Sequence, residues 1–279
     1  MIEKHSADLL LRWYLDAGVD ECIVDQALDR FAAPPPLAEV KPVFVPSPTT
    51  SHPPVIRPMA SALPVPATSA SSVPATSHGT SAHLAADCRT LEQLRRCMEQ
   101  FDDLPLKRTA RSTVFADGNP QAALMVIGEA PGQDEDRQGL PFVGKSGKLL
   151  DRMLASIGFS RQDVYISNVV PWRPFENRKP SSDEIAACLP FIIRHIELVD
   201  PKCLLLLGGA SASALLARGD VISRLRGQWF EFSSPGLPRP IPALASFHPA
   251  YLLRTPAAKR EAWRDLLMLQ RKMRAITLP

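Results

Sequence analysis

Short apolar runs that stop abruptly at polar residues or glycine, separated by stretches with helical periodicity, constrain this chain more than any other feature. Leu124–Ile127 ends in Gly128, Val164–Ile166 leads to Asn168, and Leu204–Leu207 ends at Gly208-Gly209. Trp229–Phe232 and Ala243–Phe247 read as two further strands. Between them lie helical patterns at 90–101 (Leu91, Leu94 and Met98 on one face), 146–157, 182–199 with Ser182 as cap, 210–217 and 257–274. Strands alternating with helices predict an α/β domain with a mostly parallel central sheet flanked by helices, and a site at the carboxyl ends of the strands.

That pattern holds only from about residue 85. Between Pro34 and His83 the chain is rich in Pro, Ser, Thr and Ala and poor in charge, so it cannot bury enough surface to offset its ordering entropy. Residues 34–84 are therefore expected to be a disordered linker, and residues 85–279 the catalytic domain. Ahead of the linker, Leu9, Leu10, Trp13, Tyr14, Ile23, Leu28 and Phe31 recur at helical spacing. Residues 1–33 are expected to form a small helical appendage, with a segment that docks on a protein partner as the alternative.

Composition excludes several classes. The longest apolar run is far short of the ~20 residues of a membrane span, and the first residues lack a secretory pattern, so a cytoplasmic protein with no membrane contact is expected. Five cysteines without a C-x-x-C pair argue against a disulfide framework. Residues 1–84 hold five Lys/Arg and eight Asp/Glu, against 27 and 21 in the remainder. The resulting basic balance of residues 85–279 permits a phosphate-backbone partner.

Three strand ends converge on the expected site edge, bringing Glu129, Asn168 and His248. Gly128-Glu129-Ala130-Pro131-Gly132 is a turn where backbone can approach a ligand closely, and Asp134, Glu135 and Asp136 follow. The acids admit two further readings: a solvated loop, or carboxylates holding Mg²⁺ in a phosphohydrolase. Phe142, in the apolar segment Gly139–Gly144, better suits stacking on a base. Taken alone, each of these residues also has a structural reading, as turn former, core aromatic or solvated cation.

The glycine turn with Glu135-Asp136, the segment Gly139-x-Pro141-Phe142-Val143-Gly144, Asn168, Arg173-Pro174-x-x-Asn177-Arg178 and His248-Pro249-Ala250-Tyr251-Leu252-Leu253-Arg254 together resemble the family 4 uracil-DNA glycosylases of bacteria and archaea, across about residues 100–270. The resemblance implies that family's fold and hydrolysis of the N-glycosidic bond of uracil in single- or double-stranded DNA. It gives catalytic roles to Glu129 (water or sugar cation) and His248 (hydrogen bond to uracil O2). Ala130, Glu135 (exclusion of the thymine methyl), Phe142 (stacking) and Asn168 (base edge) would bind the base. Arg173, Asn177, Arg178, Tyr251, Leu252 and Arg254 would contact DNA, with Leu252 or Tyr251 as wedge.

Two departures matter. Relatives hold a [4Fe-4S] cluster on four cysteines, whose positions here align with Phe101, Leu104, Trp172 and Cys188. With one thiol left, no cluster and no other metal or cofactor are expected. Relatives that trap the abasic sugar covalently carry an extra histidine in an inserted basic loop and a glutamine in place of Ala130, neither of which occurs here. A turning-over, monomeric enzyme is expected, rather than a covalent trap or an inactive DNA-binding module.

Overall fold

The computed structural model describes residues 77–277; the expected appendage and most of the expected linker lie outside them. In chain order the elements are α1 (Ser77–Asp87), α2 (Leu91–Gln100), α3 (Pro105–Thr109), β1 (Asp117–Gly118), β2 (Leu124–Gly128), α4 (Gln133–Gln138), α5 (Lys145–Ser156), β3 (Val164–Asn168), α6 (Ser182–Val199) and β4 (Cys203–Leu207). Then come α7 (Gly209–Leu216), α8 (Ile222–Leu225), β5 (Trp229–Phe232), β6 (Ile241–Ser246), α9 (Pro249–Arg254) and α10 (Lys259–Thr277). The strands form one sheet in the order β1-β3-β2-β4-β6-β5. The four inner strands run parallel, and only β1 and β5, at the two edges, are antiparallel to their neighbours.

Every residue of β2, β3 and β4 is buried, as expected where helices cover both faces of a parallel sheet. Alternation sorts their side chains. Met125, Ile127, Tyr165, Leu204 and Leu206 pack on one face with Phe191, Ile192 and Ile196 of α6, whereas Leu124, Val126, Val164, Ile166 and Leu205 pack on the other with Leu150 and Leu154 of α5 and Leu266 and Leu269 of α10. Burying each such side chain stabilises the fold by roughly 1.5–3 kcal/mol. No helix among the described residues is long and apolar enough to cross a membrane.

Three differences from the sequence reading have physical reasons. Helix α1 occupies the end of what reads as linker, burying Ser81 and Ala85, one turn apart; such small residues give almost no apolar periodicity. The cap of α6 is Ser181, whose hydroxyl accepts from the Glu184 N–H while its own N–H donates to the Glu184 carboxylate, so Ser182 is the first helical residue. The acidic stretch after Gly132 is the short helix α4, with Glu135 and Asp136 turned inward, and not a solvated loop.

Candidate active site

Register places the site. Gly128 pairs with Asn168 at the ends of β2 and β3, and Leu207 pairs with Ser246 at the ends of β4 and β6, so the turns that follow open on the same edge of the sheet. There a cavity of about 370 Å³ is lined by Glu129, Ala130, Glu135, Phe142, Asn168, Asn177, Arg178, His248, Tyr251 and Arg254, together with Ser146, Lys179 and Pro180.

At its floor, Gly128 has no room for a side chain: a Cβ would lie 2.4 Å from Asn168 Oδ1 and 2.5 Å from the Phe142 ring. Asn168 is 4% exposed, and its Oδ1 is buried without a hydrogen-bond partner among the described residues. An unsatisfied buried acceptor costs about 1–3 kcal/mol, and this one, in a residue at the cavity wall, is open to a donor from a ligand. Phe142 stands beside it, its ring centroid 5.5 Å from that of His248 and tilted by 30°.

His248 caps α9. Its Nδ1 accepts from the Ala250 N–H at 3.1 Å, which leaves the ring proton on Nε2 and makes that nitrogen a donor. Burial, with a further contribution from the Arg254 charge, lowers its pKa to about 4, so the ring is neutral at pH 7. Glu129 behaves oppositely: burial raises its carboxyl above the ordinary range, while Lys179 pulls it back.

The acidic cluster is spoken for. Glu135 Oε1 accepts from the Val143 and Gly144 N–H groups at 2.9 and 2.8 Å, and Oε2 accepts from Gly132 at 3.1 Å, fixing the carboxylate against the cavity wall. Asp136 Oδ1 accepts from the Arg111 and Ser112 N–H groups, and Asp134 pairs with Arg137. The three carboxylates point at different backbone and side-chain partners, and among the described residues no group of three or more His, Cys, Asp or Glu is gathered as a ligand set.

The positions aligned with cluster ligands do not fit an iron-sulfur group. Phe101, Leu104, Trp172 and Cys188 are all at most 2% exposed and belong to one hydrophobic core. Phe101 stacks on Trp172 at 6.1 Å and meets Phe191 edge-on at 5.2 Å, while Trp172 Nε1 donates to Thr113 Oγ1. Burial pushes the Cys188 thiol far above the ordinary range, and burial with the neighbouring Cys88 raises Cys97 to about 11.

On the rim, Arg178 is held by both Glu184 carboxylate oxygens, at 2.8 and 2.6 Å, and Arg173 Nε donates to Asn177 Oδ1 at 2.8 Å. Tyr251 and Arg254 of α9 are exposed. Of the two wedge candidates the sequence offered, Leu252 is 1% exposed and packed into the core with Leu207 and Leu266, whereas Tyr251 is exposed. The exposed apolar neighbour is Leu253, at 44%. Sequence reasoning also passed over Lys179 and Ser146, which no periodic or motif signal marks.

The family described as the uracil DNA glycosylase superfamily matches residues 115–267. Three similar curated proteins are each named type-4 uracil-DNA glycosylase. That of Pyrobaculum aerophilum is 36% identical over 64% of this chain and 92% of its own length, and that of Archaeoglobus fulgidus 38% over 59% and 88%. That of Thermotoga maritima is 37% identical over 58% and 81%.

Proposed function

The chain belongs to the uracil-DNA glycosylase superfamily, and on that premise we propose that it hydrolyses the N-glycosidic bond of uracil in DNA, releasing the free base and leaving an abasic site for repair. The unpartnered Asn168 Oδ1 carries this reading. Uracil presents N3–H, a donor that this oxygen accepts, and O4, an acceptor for the Asn168 amide NH₂. Cytosine presents an acceptor at N3 and a donor at its C4 amine, so both contacts would be opposed.

The remaining residues supply the chemistry. Phe142 stacks on the base after it leaves the helix. Bond breaking develops negative charge on the base and oxocarbenium character on the sugar. The His248 Nε2–H donates to uracil O2, and the Glu129 carboxylate faces the sugar, stabilising its positive charge and orienting water. Glu135, immobilised by three backbone N–H groups, is the rigid wall that rejects a thymine methyl. Arg178, Lys179 and Arg254 offer cations to phosphates around the mouth, with Arg173 bonded to Asn177 beside them, and Tyr251 and Leu253 are exposed apolar groups of α9 that enter the stack. Three of the four aligned positions hold the packed side chains of Phe101, Leu104 and Trp172, which supports the reading that the enzyme works without an iron-sulfur cluster.

The test is base release from single-stranded and G·U oligonucleotides in EDTA, with Asn168→Asp alongside. Wild type should release uracil without added metal. Asn168→Asp, whose ionised carboxylate sets an acceptor against O4, should lose roughly tenfold or more. A folded Asn168→Asp working at the wild-type rate would remove Asn168 as base reader.

A further inference from the structure

We infer that Arg161, outside the cavity, is a positioning residue that sets the Phe142 ring for stacking on the base. The inference rests on the reading of Phe142 as the stacking group. Phe142 has φ of +54°, a left-handed backbone that a side chain-bearing residue adopts only where its surroundings impose it. Two neighbours impose it here. Arg161 Nη1 donates to the Phe142 carbonyl at 3.0 Å, and Nη2 donates to the Pro141 carbonyl. From the other side, Gly147 of α5 lies so close that a Cβ would sit 1.7 Å from that same Phe142 oxygen. The carbonyl is thus clasped between a guanidinium and a bare Cα.

Arg161 is itself fixed. Its Nε donates to Asp117 Oδ2 of β1 at 2.5 Å and its Nη1 to Asp151 Oδ1 of α5 at 2.9 Å, with the side chain only 22% exposed. The planar fork meets two carboxylates and two consecutive carbonyls, a geometry that the single ammonium of lysine cannot reproduce. Since the two carbonyls flank the Phe142 backbone torsions, they determine where its ring lies, next to Gly128 with Asn168 Oδ1 and beside His248.

Single-turnover and steady-state kinetics on uracil DNA test this with Phe142→Ala, Arg161→Lys and the double variant, each checked for a cooperative melt. Arg161→Lys keeps the charge between the two carboxylates, which favours folding. It should lower kcat roughly tenfold with KM within about twofold, because a misplaced ring fails only once the base is flipped. The double variant should be no slower than Phe142→Ala within about twofold, since Arg161 acts through that ring. A folded Arg161→Lys with wild-type kcat, or losses that multiply in the double variant, would overturn the inference. Phe142→Ala at wild-type rate would instead overturn the stacking reading itself.

Discussion

Glu129 and Lys179 make the residue scale testable by titration. Burial holds the Glu129 carboxyl above the ordinary carboxylate range, and Lys179 is the cation opposing that rise. If the ionised form is the active one, kcat/KM climbs as pH rises through that raised pKa. Lys179→Ala removes the opposing charge, lifts the pKa further, and should move the acidic limb to higher pH, on a plateau of kcat/KM lowered by the lost phosphate contact. An unmoved limb would dissociate it from Glu129. His248 gains its proton only near pH 4, on the acidic side of the raised Glu129 carboxyl. Asn168 and His248 were legible as cavity residues because each ends or follows a short strand, and Phe142 because it sits in the apolar, glycine-bounded segment Gly139–Gly144. Leu252 was not: Tyr251-Leu252-Leu253 offers three adjacent apolar residues, and only packing on the core decides which turns inward.

On the scale of the element, α9 divides its labour by face. Leu252→Ala should destabilise the protein by about 2–4 kcal/mol, the usual cost of a core cavity, and appear chiefly in the melting curve. Leu253→Ala should leave the melting temperature unchanged and weaken uracil release from duplex more than from single strands, where less unstacking is required. Equal losses on both substrates would argue against its entry into the stack. The strands and long helices were readable because apolar runs and 3.6-residue periodicity persist over enough positions. Helices α1 and α4 were not, since one buries Ser81 and Ala85 and the other buries Glu135 and Asp136, residue types whose inward placement depends on partners distant in sequence.

At the scale of the whole molecule, α1 moves the boundary for any truncation. Removing residues 1–76 should preserve uracil release, whereas removing residues 1–88 takes Ser81, Ala85 and Cys88 out of the interior and should lower the melting temperature measurably. A loss of activity in the shorter deletion would assign residues 1–76 a part in catalysis. The packed assembly of Phe101, Trp172 and Phe191 around Cys188 bears on how the protein comes into being. On the proposed reading that no cluster is held, a fold closed by its own side chains needs no inorganic insertion after synthesis, and activity should be recoverable from the chain alone. Urea-unfolded protein diluted into chelator-containing buffer under air should recover its full activity, colourless, and cells starved of iron should make it as active as cells supplied with iron.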